Sequence, residues 1–308
     1  MKYVRSALVF VFVMLLLIPA GCSRNDDETA IRNLLGSSVY TDENSTRSYG
    51  SSDSTPTSGD ESSDQYEMIP FVRFRRYIPP GGMSRVVRVQ IPAYPGDPDT
   101  TALATITTTI NGDFRTMFDT TTNPILIWRK PFIDEAVRTV YLTKSRDRWR
   151  IRRLSPVRFA TVDPPYELKV ARIEVHAWSW SDSDTFRLTT ADTLLAKEEL
   201  PSFVPEDTVW VRVTVSSNGD SSWVFLHHGR PVVPHHRRRA YYRTSTTTFE
   251  RLWYIGLESA GVVSEVRPSG HDAIGWGTLW ADTSKPYVAA AWGVPYIVRQ
   301  PGQPIPED

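Results

Sequence analysis

The sequence is poor in cysteine, in net charge and in long hydrophobic segments. It has one cysteine in 308 residues, so no disulfide can form within the chain. Its 35 basic and 35 acidic residues cancel, which removes any general electrostatic attraction to nucleic acid. The longest apolar segment, Ala7 to Ile18, has about twelve residues, whereas a transmembrane helix needs about 20. These absences argue against a disulfide scaffold, a nucleic-acid-binding protein and a transmembrane protein.

Motifs of common enzyme classes are also missing. The sequence has no Gly-x-Ser-x-Gly nucleophile elbow, and Gly81-Gly82 and Gly275-Trp276-Gly277 lack the spacing of phosphate-binding loops. The adjacent acids Asp134-Glu135 and Glu198-Glu199 would point to opposite sides of a strand, so neither pair suits general acid–base chemistry. We therefore expect a protein that is not an enzyme and that carries no cofactor.

The first 22 residues have the order of a secretory signal. Lys2 and Arg5 precede the apolar segment, and small residues follow it up to Cys22. The end of this region, 18–22, resembles the lipobox of bacterial lipoproteins, and Ala20-Gly21-Cys22 matches its cleavage and acylation site, although Pro19 departs from the usual aliphatic residue. The resemblance implies that 1–22 is a signal peptide and that Cys22 carries lipid. The alternative is an ordinary signal peptide followed by a free cysteine.

Lipid attachment at Cys22 would make the bilayer a partner of this protein, because two or more acyl chains hold a protein firmly on a membrane. By the same resemblance, Ser23 after the cysteine indicates the outer membrane of the bacterial cell envelope. Residues 23–65 are rich in Ser, Thr, Asp and Gly and predict a flexible tether. One short amphipathic helix is expected within it, since apolar residues recur at helical spacing from Ala30 to Leu35.

Residues 66–163 predict an α+β domain with an antiparallel sheet. Apolar and polar residues alternate from Thr101 to Ile110, and Asn111-Gly112 then predicts a hairpin turn. A second hairpin is predicted from Ala136 to Leu154, with its turn at 145–147. The short helix and long hairpins resemble the nuclear transport factor 2-like (NTF2-like) family over 66–160. That family includes enzymes and binding domains, so the resemblance implies a curved sheet and no particular activity.

Residues 166–300 predict a β-sandwich after a joint at Pro164-Pro165. Several short alternating strands follow one another, such as Val209 to Val215, and are separated by turn residues. The region resembles immunoglobulin-like and fibronectin-like modules. The fold class is therefore predicted as mainly β, with a curved antiparallel sheet and a short helix followed by an antiparallel sandwich. Trp292 to Val298 predicts a final edge strand, and the Gly- and Pro-rich tail 301–308 predicts disorder.

One segment of the second region combines histidine, arginine and tyrosine. The imidazoles of His227, His228, His235 and His236 are candidate metal ligands. The neighbouring arginines would repel a cation and no acid lies nearby, so a solvated loop is favoured over a metal site. The same segment is a candidate anion-binding patch, because guanidinium groups suit phosphate, sulfate or carboxylate. The residues of that patch are Arg237, Arg238, Arg239, Tyr241 and Tyr242.

Tryptophan is the last feature of note. Trp178 and Trp180 share one strand face, and three more cluster late in the chain, at 276, 280 and 292. Exposed, they would form a platform for carbohydrate or for a protein, but packing inside the sandwich is favoured because tryptophan buries well. The sequence thus predicts an envelope lipoprotein that binds a protein or glycan, or serves a structural role, without catalysis. The alternative is an envelope enzyme or small-molecule binder with a cavity in the first domain.

Overall fold

A computed structural model describes residues 19–41, 73–118, 126–230, 233–257, 263–280 and 282–308. Strands make up 56% of the structure and helices 9%, so the protein is mainly β, as the sequence predicts. The helical elements are α1 (Pro19–Ser37), the short 3-10 helix η1 (Lys197–Glu199) and α2 (Trp276–Leu279). The strands are β1 (Arg73–Tyr77), β2 (Met83–Gln90), β3 (Thr101–Phe118), β4 (Leu126–Ser145), β5 (Arg148–Leu154), β6 (Val157–Thr161), β7 (Leu168–Ala177), β8 (Phe186–Leu188), β9 (Leu195–Ala196), β10 (Ser202–Phe203), β11 (Thr208–Ser217), β12 (Ser222–Arg230), β13 (Val233–Ala240), β14 (Tyr242–Arg243), β15 (Thr248–Tyr254), β16 (Ser264–Gly275) and β17 (Ala289–Arg299).

The first sheet contains twelve strands and is curved into a half-barrel. Its main order is β1-β3-β4-β6-β17-β16-β12-β13, while β2, β5 and β10 pair beside β3, β4 and β17, and β9 pairs with β5. A side chain links the two end strands. Arg238 of β13 donates a 2.8 Å hydrogen bond to the carbonyl oxygen of Phe74 in β1, and its guanidinium lies 3.5 Å from the centre of that ring. Side chains inside the half-barrel are therefore enclosed from several directions.

Strands β3 and β4 are the long arms of the first sheet and pair from Thr101 to Phe118. The predicted hairpin turn at Asn111-Gly112 is wrong, because β3 runs through both residues without turning. Gly112 serves close packing instead: a Cβ atom on it would lie 2.4 Å from the carbonyl oxygen of Tyr77. The second predicted hairpin is confirmed, since β4 and β5 pair across a turn in which Arg146 and Asp147 have positive φ.

The second sheet has five strands in the order β14-β15-β11-β7-β8 and packs against the first. Outward and inward positions alternate along β11, as predicted. Its buried residues are Val209, Val211, Val213 and Val215. They share a hydrophobic cluster with Val224 and Leu226 of the first sheet. The predicted fold class, a curved antiparallel sheet with a short helix and then a β-sandwich, is confirmed.

Strand β17 lies between the second sheet and the interior of the half-barrel. Its first ten residues are all buried, and only Arg299 is partly exposed. A continuous apolar segment of this kind is typical of a strand that is covered on both faces. The prediction of an edge strand is wrong, because β17 is central: it pairs with β16 on one side and with β6 on the other.

The first sheet continues across the boundary that we predicted at Pro164-Pro165. Strand β6 ends before the prolines, but its partner β17 comes from the far end of the sequence. The prolines lie outside both strands, so they do not affect the backbone hydrogen bonds between β6 and β17. As a border between folding units, 163–166 stays a prediction. The NTF2-like and immunoglobulin-like resemblances also stay predictions.

Helix α1 confirms the short helix predicted within 23–65, although it begins earlier, at Pro19. Ile31 and Leu35 are fully buried against the first sheet. Asp27 accepts hydrogen bonds of 2.7 Å from Lys144 and 2.9 Å from the indole of Trp149. This part of the predicted tether therefore packs on the folded body. Residues 42–65 of the tether and 1–18 of the predicted signal peptide lie outside the described residues.

The C-terminal residues 301–308 also pack on the body, so the prediction of disorder there is wrong. The carbonyl oxygen of Pro306 accepts a 2.7 Å hydrogen bond from the hydroxyl of Tyr40. The side chain of Asp308 lies 2.7 Å from Lys197 and accepts a 2.8 Å hydrogen bond from the backbone of Ile151. Composition alone misses these contacts because they depend on a backbone carbonyl and on one terminal side chain.

The packing of α1 can be tested by truncating a side chain. We expect Leu35→Ala to lower the free energy of unfolding by about 2–5 kcal/mol, because it opens a cavity in a sealed part of the core. The exposed Asn33→Ala on the same helix is the matched control and should change stability by less than about 0.5 kcal/mol. Urea unfolding of the chain from residue 23 measures both. Equal stability of the two variants would mean that the helix is not part of the folded body.

Candidate functional site

The predicted histidine ligands lie on β12 and β13, and the two whose side chains the structure describes have different surroundings. His227 is buried inside the half-barrel, whereas His228 lies 5.5 Å from the ring of Trp253. The side chains of 229–237, which include His235, His236 and Arg237, lie outside the described part of the structure. Among the described residues, no group of three or more His, Cys, Asp or Glu side chains is placed to hold a metal ion.

The predicted anion patch is divided between the interior and the surface. Arg238 and Tyr241 are buried, while Arg239 and Tyr242 are half-buried. The hydroxyl of Tyr241 lies 2.7 Å from Nδ1 of His271, and burial lowers the pKa of His271 to about 3. That imidazole is therefore neutral, and its Nδ1 can accept a hydrogen bond from the tyrosine hydroxyl. The structure does not bring these arginines and tyrosines to one common surface.

Five polar side chains, including the predicted His227, meet inside the half-barrel. They are termed the buried network: Arg76, Asp134, His227, Asp272 and Tyr287. Arg76 donates two hydrogen bonds to Asp272, of 2.6 and 3.0 Å. Nε2 of His227 lies 3.1 Å from the same carboxylate. Nε of Arg76 also donates a 2.7 Å hydrogen bond to the hydroxyl of Tyr287, which donates one of 2.7 Å to Asp134. The network thus connects β1, β4, β12 and β16 with the segment before β17.

The pKa values of the two carboxyl groups of the buried network are shifted in opposite directions. Burial raises the pKa of Asp134 to about 6, even though Arg76 and the hydrogen bond from Tyr287 oppose this effect. Burial also raises the pKa of Asp272, but Arg76 and the hydrogen bond from His227 outweigh it and hold the pKa below its usual value. Burial lowers the pKa of His227, so its ring is neutral and donates to Asp272. The closest charge pair of the network is that of Arg76 and Asp272, at 2.6 Å, and Asp134 lies 3.8 Å from Arg76.

The five side chains of the buried network are enclosed by the protein. Asp272 and His227 have no accessible surface, and aromatic rings of Phe74, Phe114 and Phe132 pack around Arg76 and Tyr287. A general base must reach the proton that it removes, and the two fully buried groups, Asp272 and His227, have no contact with solvent. The bonds between Arg76 and Asp272 connect β1 with β16, two strands that share no backbone hydrogen bonds.

Reasoning from the sequence missed most of this network. A usable signal was present in β1, where alternation places Arg76 on the same side as the buried Phe74. A charged residue on the apolar side of a strand needs a buried partner of opposite charge. The partner Asp272 lies 196 residues away, and no local pattern identifies it.

The outer side of the second sheet carries a group of apolar side chains, termed the aromatic face: Trp178, Leu252 and Tyr254 are exposed, and Trp210 is half-buried. Trp178 is 67% exposed, Tyr254 54% and Leu252 52%. Thr208 pairs with Tyr254, and its carbonyl oxygen accepts a hydrogen bond from the backbone of Trp178. Trp210, two residues along β11, pairs with Leu252. The four side chains therefore occupy two adjacent rows across the sheet.

A row of alternating charges borders the aromatic face and is termed the charged row: Glu250, Arg212, Glu174 and Arg187. Arg212 pairs with Glu250 on one neighbouring strand and with Glu174 on the other. Its Nε donates a 2.8 Å hydrogen bond to Glu250, and Arg187 donates one of 2.9 Å to Glu174. The guanidinium of Arg212 also lies 4.6 Å from the centre of the Trp210 ring. Acceptors and donors thus alternate beside the aromatic rings.

The tryptophans divide between the two roles considered for them. Trp292 is buried and Trp180 stacks on Phe203 at 5.5 Å, as the packing interpretation predicts. Trp178 is wrongly predicted as a core residue, because it follows the last residue of β7 and points away from the sandwich. Trp280 is 44% exposed and packs on Trp276 at 5.7 Å. Alternation along β7 could have identified Trp178, since Ala177 before it occupies an inward position.

Cys22 lies in the first turns of α1, and its side chain is outside the described part of the structure. Among the described residues, no helix is both long enough and apolar enough to cross a membrane. No family model, curated protein or solved structure matches the chain.

The charge pair at the centre of the buried network can be tested by removing one partner. We expect Arg76→Met to lower the free energy of unfolding by about 3–5 kcal/mol, because it leaves the carboxylate of Asp272 buried without its counter-charge. Arg158→Met, at an exposed position of β6, is the control and should cost less than about 0.5 kcal/mol. Chemical unfolding measures both, and a small effect of Arg76→Met would show that the pair is not essential for stability.

The raised pKa of Asp134 predicts a pH dependence with a definite sign. The folded protein holds a proton on this carboxyl up to a pH of about 6, whereas the unfolded chain loses it near 3.8. The contribution of Asp134 to stability therefore falls as pH rises through this window, by about 3 kcal/mol in total. We expect the difference in unfolding free energy between Asp134→Asn and the wild type to change in favour of the variant over that range. A constant difference between about pH 4 and about pH 7 would contradict the prediction.

Proposed function

We propose that this protein is a lipid-anchored binding protein of the bacterial cell envelope and that it has no catalytic activity. The observation that carries the proposal is the aromatic face. Large apolar side chains exposed side by side on a folded surface are unusual, and such patches commonly serve recognition. Trp178, Tyr254 and Leu252 are each more than half exposed. A protein or glycan of the envelope is the partner that we expect there.

The anchor in this proposal is acylated Cys22, which would place the protein on a membrane, in particular the outer membrane. The packing of α1 adds a physical consequence. Arg24, two residues after Cys22, donates a 2.8 Å hydrogen bond to the carbonyl oxygen of Ile91. Asp27 is bound to Lys144 and Trp149. Lipid at Cys22 would therefore hold the folded body close to the bilayer, and not at the end of the long flexible tether that the composition predicts.

The interior of the half-barrel supports a binding role over the alternative of an enzyme or small-molecule binder. That alternative needs a cavity inside the curved sheet. In the part of the half-barrel that the structure describes, the interior is occupied by stacked rings, with Phe74 and Phe114 at 5.1 Å and Phe132 and Tyr287 at 4.8 Å between ring centres. A cavity lined by Ile106, Arg138 and their neighbours has a volume of about 10 Å³, which is space for about one water molecule.

The anchor is tested by mass spectrometry of the mature protein from a bacterium with a lipoprotein-processing pathway. We expect the N-terminal peptide to begin at Cys22 and to carry the added mass of two or three acyl chains. Cys22→Ser should abolish this modification and release the protein from the membrane fraction, whereas Ser23→Ala should retain both. An unmodified Cys22 in the wild-type protein would refute the lipid anchor.

A further inference from the structure

We propose that the aromatic face, together with the charged row, binds an uncharged polysaccharide chain. This inference rests on the proposed function and names the class of ligand for the same surface. It requires three properties of the surface: flat apolar rings, hydrogen-bonding groups that suit hydroxyls, and an area suited to a chain of sugar rings.

The first property is the arrangement of the rings. Trp178 and Tyr254 flank Thr208 in one row of the sheet, and Trp210 and Leu252 lie in the next. Neighbouring strands are about 4.8 Å apart and alternate residues of a strand about 6.7 Å apart, so the exposed side chains span a strip about 10 Å wide. Pyranose rings present C–H groups on one side, and these pack on the electron-rich face of an aromatic ring.

Two of the rings are held in place before any ligand arrives. The hydroxyl of Tyr254 donates a 3.0 Å hydrogen bond to Glu206, and the indole nitrogen of Trp210 lies 3.4 Å from Glu250. Because the polar atoms at the ring edges already have partners, the ring orientations are fixed. A surface that is ordered in advance loses less conformational entropy when it binds.

The second property is the chemistry of the charged row. A sugar hydroxyl both donates and accepts hydrogen bonds. Glu250 can accept from such groups, and Arg187 and Arg212 can donate to them. Glu174 is buried and holds the two arginines in place. The row holds two carboxylates and two guanidinium groups that pair with one another, so it has no net charge to attract a polyanion. This balance favours a neutral glycan over an acidic one.

The third property is the area of the patch, which is too small for a typical protein partner. Trp178, Tyr254 and Leu252, each half to two-thirds exposed, offer roughly 300–400 Å² of surface. A stable protein–protein interface buries about 800 Å² on each side. A narrow strip of rings matches the width of a single polysaccharide chain better than it matches a folded protein.

The experiment is native affinity electrophoresis of the purified full-length lipoprotein. The detergent should have a polyoxyethylene head group, because sugar-based detergents would compete for the surface. Parallel gels contain xyloglucan, mixed-linkage β-glucan or galactomannan as neutral probes, and alginate as an acidic one. We expect retardation in at least one neutral gel and none in alginate.

The variants connect binding to the aromatic face. Trp178→Ala should weaken retardation by about tenfold or more, because it removes the most exposed ring. Trp280→Ala is the matched control: this exposed tryptophan lies outside the aromatic face and should leave binding unchanged. Equal thermal unfolding of both variants and the wild type excludes a folding defect.

Three results would overturn the glycan assignment: no retardation in any neutral gel, retardation in alginate alone, or retardation that Trp178→Ala leaves intact. A photo-reactive amino acid at position 178 separates this failure from failure of the proposed function. In intact cells it should yield no protein adduct if the ligand is a glycan. One discrete protein adduct, without retardation in the gels, would assign the surface to a protein partner. The binding role would then stand, and only the ligand class would change.

Discussion

The structure of the half-barrel depends on one buried ion pair, between Arg76 and Asp272. These residues belong to β1 and β16, which are not neighbours in the sheet, so the pair fixes a distance that no backbone hydrogen bond sets. Burying both charges is costly, and the cost is offset only when the geometry is good and the remaining polar atoms have partners. His227 and Tyr287 provide those partners. The curvature of the sheet brings β1 close to β16, and this closeness is what allows the two charges to pair.

The buried network and the aromatic face lie on different sheets of this protein. The histidines and arginines of β12 and β13 resemble a binding site when read along the chain, but two of them have partners inside. Arg238 connects the end strands β13 and β1, and His227 binds Asp272 of the neighbouring strand β16. The surface that is available for recognition lies on the second sheet, on the side away from the first. Its polar groups are paired with one another, so it presents ring faces and satisfied charges rather than reactive groups.

Features that depend on neighbours in the sequence could be predicted, and features that depend on distant partners could not. The alternation in β11, the helix around Ile31 and Leu35, and the turn between β4 and β5 are encoded locally, and each is present. Asn111-Gly112 has the local signature of a turn, but both residues pair with β4 inside the continuous strand β3. The sequence suggests an edge strand at β17, because its neighbour β6 lies more than a hundred residues earlier and no local pattern indicates that pairing. The exposure of Trp178 is a local feature, because Ala177 before it occupies an inward position at the end of β7.

The central position of β17 bears on the order of events during synthesis. The strand is the last of the chain, yet it pairs with both β6 and β16 and contributes to the core of the sandwich. The middle of the large sheet therefore stays incomplete until the C-terminal residues have emerged. A chain in this state cannot close its core. Premature termination anywhere before Ala289 would remove the strand that joins the two sides of the sheet, and such products would be exposed to proteases.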